Sequence, residues 1–278
     1  MQRMITAPDG IRLHVSMDRG RGHGMVFIHG MGVNKSIWKK ERDYYRSKGY
    51  RTAAFDLRGH GQSDKPDGME SYKLQVLCDD TAAVVDGLGL HRPVLVGHSV
   101  GAAIALYTAA RHPARVGAVV AISAALDIPA PLQRIAPLSP LVRGLTHLIA
   151  RHQHIQHAEH QQAIDFFARR LHHDDVSFSE VLRNAPIKVL LAVFDTMHES
   201  YTQLNACLVL RSATVPSLFI VGTRDDIVAK EDVEHMAGCL PHSSIVELPV
   251  GHHAQISSPA AICRAMDAFF SRNLAEAH

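Results

Sequence analysis

The chain lacks the features that would indicate a membrane protein or a nucleic-acid-binding protein. Its formal charge is +2 across 278 residues, which is too small to favour binding to nucleic acid or to an anionic lipid surface. No apolar run approaches the roughly 20 residues of a membrane-spanning helix. Residues 1–4 lead into a polar segment without the apolar centre of a signal peptide. We therefore expect a cytoplasmic protein that neither inserts into a membrane nor binds nucleic acid.

Cysteine usage, repeats and low-complexity segments point to no special class of fold. The four cysteines are scattered along the chain and form no C-x-x-C pair, so they predict no disulfide framework. They are Cys78, Cys207, Cys239 and Cys263. Neither an internal repeat nor a low-complexity linker interrupts the sequence. With 46% apolar residues, the chain has the composition of an ordinary globular protein that can bury a large core.

Short apolar runs alternate with helical patterns along most of the chain. The runs typical of strands are 25–28, 52–55, 94–96, 116–122, 215–221 and 245–248, and 11–17 alternates as an early antiparallel strand would. The helical patterns fall at 36–48, 71–88, 102–111, 231–237 and 259–273. Alternation of this kind predicts an α/β fold in which helices flank a mostly parallel central sheet.

The most informative local pattern is the Gly-x-Ser-x-Gly motif at residues 97–101. It follows the apolar run 94–96 directly and precedes a helical pattern, which favours a tight turn from strand to helix. Such a turn lifts the hydroxyl of Ser99 clear of the sheet and places it at the positive end of a helix. Glycine is needed at both flanking positions because a side chain would crowd the turn. The motif therefore predicts Ser99 as a nucleophile.

A serine nucleophile needs a base and an acid that orients the base. Asp225 follows the strand-like run 215–221, and His252 follows the run 245–248. Parallel sheets place their sites just beyond the carboxyl ends of strands. We therefore predict a catalytic triad of Ser99, Asp225 and His252, in that order along the chain.

Rival residues remain for two of these roles. Asp226 adjoins Asp225, and Asp127 follows the strand-like run at 116–122, from which an acid could also be drawn. His253 adjoins His252. The pairing with Gly251 favours His252.

The negative charge that develops on the substrate oxygen needs backbone donors. One candidate is the amide of Val100, directly after the predicted nucleophile. The second is the amide of Met31 in the sequence His-Gly-Met-Gly at 29–32, which follows the strand-like run 25–28. The glycines in this loop would allow the backbone to approach the substrate closely.

Together these motifs resemble the α/β-hydrolase superfamily, in its serine esterase and lipase-like branch. The resemblance rests on residues 29–32, Trp38, the sequence Asp-Leu-Arg-Gly-His-Gly-Gln-Ser at 56–63, and residues 97–101, 222–225 and 251–252. It implies that 56–63 and Trp38 serve as scaffold, and the spacing from Gly222 that it implies favours Asp225 as the acid. It also implies a helical cap inserted between the nucleophile and the acid, with 1–127 and 212–278 as the hydrolase core and 128–211 as the cap.

The segment 128–211 differs from the rest of the sequence. Its strand signals largely vanish, and prolines followed by helical patterns replace them. Seven histidines occur between residues 147 and 173, but their spacing fits no standard zinc pattern, so we interpret them as a solvated face and predict no metal site. Candidates for contact with substrate are His29, Gly30 and His98 near the nucleophile, and Phe194 and Met197 in the cap.

The predicted chemistry is acyl transfer from a small, largely apolar carboxylic ester or lactone to water, through an acyl-enzyme and without a cofactor. A small-molecule substrate is the expected partner, and the oligomeric state stays open. Alternatives are a hydrolase-fold receptor with slow turnover, a hydrolase of carbon–carbon bonds or a thioester hydrolase. The resemblance argues against epoxide hydrolases, which carry aspartate where this chain has Ser99.

Overall fold

The computed structural model describes residues 1–124, 184–186, 189, 193 and 206–274. Eight strands are described: β1 Gln2–Thr6, β2 Arg12–Met17, β3 Gly24–Ile28, β4 Arg51–Phe55, β5 Val94–His98, β6 Ala118–Ile122, β7 Ser217–Gly222 and β8 Ser243–Leu248. The described α-helices are α1 Lys39–Ser47, α2 Leu74–Gly87, α3 Val100–Arg111, α4 Ala206–Leu210, α5 Lys230–Cys239, α6 Ala254–Ser257 and α7 Pro259–Asn273. Short 3₁₀ turns cover Lys35–Trp38, Met69–Tyr72 and Pro113–Arg115.

One sheet joins all eight of these strands in the order β1-β2-β4-β3-β5-β6-β7-β8. The pairs β1–β2 and β2–β4 are antiparallel, and every later pair is parallel. In the parallel part Ile28 lies opposite Gly97, and His98 lies opposite Ile122. The carboxyl ends of β3, β5, β6 and β7 therefore share one edge of the sheet, which confirms the predicted α/β class.

Alternate side chains of the central strands feed two separate apolar layers. In β3, Val26 and Ile28 join the layer that includes residues of α2 and α3, whereas Met25 and Phe27 join the layer that includes residues of α1 and α7. All four are fully buried. Because successive side chains of a strand point to opposite faces, a strand covered on both faces must be apolar at every position, and this explains the continuous apolar runs of the sequence.

The predicted elements of the core appear within a few residues of their expected ends. Sequence reasoning missed two elements of the described core, the four-residue helix α6 and the strand β1. The latter is an edge strand with one buried side chain, that of Ile5, so its residues show no apolar run. In the described part of the chain, no helix has the length and apolar character needed to cross a membrane.

Most of the predicted cap, 128–211, lies outside the described residues. Those of its residues that are described pack on the core: Ala185, Val189 and Val193 are buried in the same layer as α2 and α3. Helix α4, at the end of the segment, contacts α3 and α5, and Leu210 is fully buried there.

The cysteines require a correction. The sequence predicted no disulfide, but Cys207 of α4 and Cys239 at the end of α5 form one, with Cα atoms 5.0 Å apart. Their separation of 32 residues carries no local signal, and only the packing of α4 on α5 brings them together. The other two cysteines, Cys78 and Cys263, are buried free thiols.

Candidate active site

Ser99 occupies a strained turn between β5 and α3. Its backbone has φ 53° and ψ −121°, a combination that a side chain other than glycine rarely adopts. A Cβ at Gly97 would overlap the carbonyl of Gly101, and one at Gly101 would overlap the carbonyls of Ile28 and His29. The two glycines therefore let the turn close and let α3 start against the end of β3, which places Ser99 above the middle of the sheet.

His252 and Asp225 form a buried pair at neighbouring strand ends. Nδ1 of His252 donates to the carboxylate of Asp225, with distances of 3.0 Å to Oδ2 and 3.2 Å to Oδ1. The side chains are only 6% and 2% exposed, respectively. The Asp225 carboxylate also accepts from the amides of Ile227 and Val228 at 3.0 and 2.9 Å, which fixes its orientation in the loop after β7.

The environment holds Asp225 in its ionised form. Burial opposes ionisation, but the hydrogen bond and charge of His252, the amide of Val228 and the hydroxyl of Ser123 together lower the pKa of Asp225 to about 2. A carboxylate that stays charged keeps the proton of His252 on Nδ1, which leaves Nε2 to face a reacting group. Of the three candidate acids, Asp225 is the one that contacts the imidazole; Asp226 is exposed, and Asp127 lies outside the described residues.

The histidine next to Ser99 connects the two halves of the candidate site. His98 is 1% exposed, and its Nε2 donates to the carbonyl oxygen of His252 at 2.9 Å. Its ring centroid lies 4.8 Å from that of His252 and 5.4 Å from that of His253. His98 therefore links the turn at residues 97–101, the elbow, to the loop that carries His252 and His253, the histidine loop. From the sequence, His98 was a candidate for contact with substrate.

No hydrogen bond joins Ser99 to His252 among the described contacts of the two residues. Hydrogen bonds between nucleophile and base are often long in ligand-free enzymes and tighten in the substrate complex. The link through His98 nevertheless keeps the histidine loop beside the elbow, because His98 is the residue that immediately precedes Ser99.

The loop after β3 passes directly beside the elbow. A Cβ at Gly30 would lie 3.3 Å from Cβ of Ser99 and 3.0 Å from Nδ1 of His98. Glycine at this position therefore allows the loop to pass this close to Ser99 and His98. Within the described residues, the amides of Met31 and Val100 donate to no protein acceptor. Val100 begins α3 and so has an amide without an intrahelical acceptor. Both amides remain available to a substrate oxygen.

Two buried histidines, His29 and His60, form hydrogen bonds to the backbone that fix the loop after β3. His29 is fully buried; its Nδ1 donates to the carbonyl of Gly30 at 2.7 Å and its Nε2 accepts from the amide of Leu57 at 3.0 Å. His60 likewise donates from Nδ1 to the carbonyl of Arg58 at 3.2 Å and accepts at Nε2 from the amide of Gly32 at 3.1 Å. The predicted substrate contact at His29 therefore needs correction, because both ring nitrogens are occupied by backbone groups.

Burial keeps both of these rings neutral. Desolvation lowers the pKa of His29, although the charge of Asp56 opposes it. Burial first, and then the neighbouring His29, lowers the pKa of His60 to about 3. A neutral ring is required here because Nε2 of each must accept a hydrogen bond.

Residues 56–63 form a network of buried hydrogen bonds and ion pairs next to the loop after β3. Asp56 accepts from the amides of Lys35 and Gln62, each at 2.9 Å, and from Nζ of Lys35 at 2.6 Å. Arg58 is 1% exposed and bridges Asp80 and Asp9. These contacts are internal to the protein, in keeping with the scaffold role that the sequence predicted.

Asn184 belongs to the predicted cap and contacts the loop after β3. Its Oδ1 accepts from the side chain of Asn34 at 2.6 Å, its Nδ2 donates to the carbonyl of Gly32 at 3.4 Å, and its own carbonyl accepts from the amide of Gly61 at 2.8 Å. Sequence reasoning missed this residue, since nothing near it in the chain marks it. The other cap candidates, Phe194 and Met197, lie outside the described residues.

The chain is similar to proteins with an alpha/beta hydrolase fold. A model of that family, described as "alpha/beta hydrolase fold", matches residues 25–259. Among curated proteins, the chain is 43% identical over 104 residues to Epoxide hydrolase 3 of Xenopus tropicalis. The matched region covers 37% of this chain and 28% of that protein. The chain is 23% identical over 270 residues to 3-oxoadipate enol-lactonase 2 of Acinetobacter baylyi, over 96% of both. Of the curated epoxide hydrolases that it matches, the chain spans only 20% to 39% of the length.

Solved structures agree on the fold. A putative aryl esterase from Burkholderia cenocepacia superposes with a TM-score of 0.77 at 24% identity, over 99% of this chain and all of that one. An epoxide hydrolase of Bacillus megaterium superposes with a TM-score of 0.70 at 24% identity, over 97% of this chain and all of that one. At such identities the likeness establishes the architecture and leaves the reaction to be argued from the site itself.

Proposed function

Because the chain belongs to the alpha/beta hydrolase fold family, we propose that it is a serine hydrolase of small, largely apolar carboxylic esters or lactones. The observation that carries this proposal is the arrangement at one edge of the sheet. Ser99 stands in a strained turn, the Asp225–His252 pair is buried beside it, and His98 connects the two. This is the constellation that makes an alcohol nucleophilic.

The proposed reaction proceeds in two halves. Nε2 of His252 takes the proton of Ser99 as Oγ attacks the carbonyl carbon, and the amides of Met31 and Val100 bind the resulting oxyanion. His252 then gives the proton to the leaving alcohol, and an acyl-serine remains. Water enters, loses a proton to His252, attacks the acyl carbon and releases the acid as Ser99 regains its proton. Side chains and amides supply every proton and donor, so the scheme calls for no metal or organic cofactor.

The nucleophile favours carbonyl chemistry over epoxide opening, although relatives of both kinds exist. Attack of a serine on a carbonyl gives an ester, which water can hydrolyse by the same route. Attack of a serine on an epoxide would give an alkyl ether, which this machinery cannot cleave, so turnover would stop after one event. An epoxide hydrolase needs a carboxylate nucleophile, and residue 99 is a serine.

A lactone is the second substrate class that an observation favours. The enol-lactonase of Acinetobacter baylyi matches over 96% of this chain, whereas the match to the Xenopus tropicalis epoxide hydrolase covers 37% of it. A lactone is an internal ester, so the same attack and the same oxyanion donors serve it. The difference lies in the leaving alcohol, which stays tethered to the acyl group after ring opening and departs with it when water releases the product as a single hydroxy acid or its keto form.

A substrate panel with two serine variants tests the proposal. Aryl esters of increasing acyl length, γ- and δ-lactones, thioesters, a ring-fission diketone and an epoxide are compared with the wild type, Ser99→Ala and Ser271→Ala. We expect the ester or lactone rate to fall by about 10³-fold or more in Ser99→Ala, as for loss of a nucleophile. Ser271, exposed on α7, is the control and its variant should retain full activity.

Chemical trapping separates turnover from a binding role. A fluorophosphonate should add once to the protein, and peptide mapping should locate the adduct on Ser99. Repeated turnover of an aryl ester supports an enzyme, whereas a single slow event per chain would support a receptor. Undiminished hydrolysis by Ser99→Ala, or an adduct elsewhere, would overturn the proposal.

A further inference from the structure

Two sulfurs and an imidazole meet where α4 packs on α5. The side-chain ligand atoms of Cys207, His235 and Cys239 all lie within 4.8 Å of one another. His235 and Cys239 stand four residues apart on α5, so they share one face of that helix. Cys207 reaches them from α4, and its sulfur is bonded to that of Cys239.

Both redox states of this pair fit the surroundings. Sγ of Cys239 lies 3.3 Å from the carbonyl oxygen of His235, so a thiol at this position would find an acceptor without any movement of the helix. Cys207 packs against the apolar layer of α2 and α3 in part, where a small neutral thiol is tolerated. Opening the disulfide would therefore leave no buried polar group without a partner.

Exposure differs between the two sulfurs and sets the direction of attack. Cys207 is partly exposed, Cys239 is buried with 6% exposure, and His235 is exposed. An incoming thiolate can therefore reach Cys207, and Cys239 becomes the leaving group. The imidazole of His235 lies within 4.8 Å of both sulfurs, close enough to donate a hydrogen bond to the departing thiolate, and a more stable leaving group accelerates exchange.

We propose that Cys207, Cys239 and His235 form a thiol–disulfide exchange site that reacts with small thiol and disulfide couples of the glutathione class. In the reducing direction, a small thiolate attacks Sγ of Cys207, the protein S–S bond breaks, and Cys239 leaves as a thiolate that takes a proton. A second small thiolate attacks the small-molecule sulfur of the mixed disulfide and releases Cys207. The two small thiols give up two electrons and become a disulfide, and the protein gains two thiols.

The position of the bond gives it a structural consequence. Helix α4 is the last element before the chain re-enters the sheet at β7, and α5 follows the loop that carries Asp225. The bond therefore fastens the end of the predicted cap segment to the core. The inference stands on the two sulfurs and the imidazole alone, so it survives if the proposed function fails.

The test counts thiols in the full chain across a series of glutathione buffers. Samples equilibrated from reducing to oxidising ratios are quenched with acid, unfolded in denaturant and alkylated, and the peptides are mapped. We expect Cys78 and Cys263 to be alkylated throughout, as internal controls, while Cys207 and Cys239 pass together from alkylated to cross-linked. The oxidised wild type should also melt several degrees above both the reduced wild type and Cys207→Ser, because the bond limits the unfolded chain.

A pair of histidine variants tests the role assigned to the imidazole. His235→Gln should slow reduction of the bond by roughly threefold, because the departing thiolate loses the imidazole that stabilises it. His242→Gln, an exposed histidine outside the cluster, should leave the rate unchanged. Equal rates in His235→Gln and the wild type would remove His235 from the site.

Three results would overturn the proposal. Four alkylated cysteines at every buffer ratio would mean that no bond forms. A cross-link that opens only after the protein unfolds would make it a fixed structural bond. Tight binding of one zinc ion by the reduced protein, together with resistance to oxidation, would show that the three side chains hold a metal instead.

Discussion

The imidazole of His98 shows how one residue serves two parts of the site. Its Nε2 must carry a hydrogen to donate to the carbonyl of His252, so the neutral ring has an unprotonated Nδ1. Burial, followed by the nearby His252 and His253, holds the pKa of His98 well below its usual value. Neutrality matters because His252 becomes positively charged in the proposed mechanism, and a second cation 4.8 Å away would oppose that step.

Substitution of His98 should therefore separate hydrogen bonding from ring packing. The amide nitrogen of glutamine falls near the position of Nε2, whereas that of asparagine falls near Nδ1. We expect His98→Gln to keep most of the activity and His98→Asn to lower kcat/KM by about 10-fold, since a net hydrogen bond of about 1.4 kcal/mol is lost. The measurement is kcat/KM for an ester between pH 5 and pH 9.

The pH profile distinguishes positioning from mere packing. If His98 orients His252, the acid limb of the profile should shift in His98→Asn and return in His98→Gln. Identical profiles and rates in the two variants would show that the link to the His252 carbonyl has no role in activity.

At the scale of elements, the loop after β3 is held by the turn after β4. His60 lies in that turn and accepts from the amide of Gly32, one residue beyond the proposed donor at Met31. Its pKa of about 3 means that this hydrogen bond persists over the whole range in which esterases are assayed. The acid limb of activity should accordingly report the proposed base and not a release of this loop.

Removing the imidazole of His60, which accepts from the amide of Gly32, should lower kcat more than it changes KM. We expect His60→Leu to lower kcat by roughly 10- to 100-fold with little change in KM, because a displaced oxyanion donor weakens transition-state stabilisation. His60→Gln keeps an acceptor and should recover most of that loss. Steady-state kinetics on one ester, with circular dichroism to check folding, gives the comparison. A rise in KM alone would place His60 in substrate binding.

Elements with a local signature could be predicted from the sequence, and elements defined by contact could not. The strands β3 and β5 are apolar at nearly every position because both faces are covered, and the elbow between Gly97 and Gly101 is explained by overlaps that any side chain would cause. The candidate residues Ser99 and Asp225 could be selected for the same reason, because they follow the buried strands β5 and β7, whereas His252 follows the partly exposed β8.

Other features arise only when distant segments meet. The disulfide between Cys207 and Cys239 depends on the packing of α4 against α5. The hydrogen bond between Asn184 and Asn34 joins residues that are 150 positions apart in the chain. The hydrogen bonds of His29 to backbone groups depend on how its loop folds. No spacing in the chain encodes these contacts, so sequence reasoning assigned His29 to substrate and overlooked Asn184.

At the scale of the whole molecule, a buried carboxyl makes stability depend on pH. Glu41 of α1 is fully buried, and its carboxylate oxygens have no hydrogen-bond partner among the described residues. Burial raises the pKa of Glu41 to about 7, with only partial opposition from a backbone amide and Lys40. The folded protein therefore keeps a proton there that the unfolded chain releases near its ordinary value of 4.5.

The sign of the effect follows from proton linkage. Between about pH 4.5 and pH 7 the folded state binds more protons at this site than the unfolded state, so its contribution to stability falls as pH rises and levels off above about pH 7. We expect Glu41→Gln to raise the free energy of unfolding at pH 8 by an amount on the order of 3 kcal/mol, and to change it little at pH 5.

Thermal unfolding of the two proteins at pH 5, 6, 7 and 8 measures this difference. Glu231→Gln, at an exposed position of α5, is the matched control and should show the same small difference at each pH. A Glu41→Gln variant that tracks the wild type in parallel across the range would show that Glu41 is ionised in the folded protein at every pH tested.

The pairing of Ile28 with Gly97 has a consequence for how this protein could change its specificity. Met31 and Val100 each lie three residues beyond that pair. The separation of the two amides therefore depends on the spacing of two adjacent strands, which is about 4.8 Å. The insertion between β6 and α4 contacts the loop that carries Met31 through Asn184, which binds Asn34 and the carbonyl of Gly32. Under the proposed mechanism, mutations in the insertion that spare Asn184 would therefore change which acyl group is accepted while the two proposed oxyanion amides keep their separation, so selectivity would change without a loss of rate.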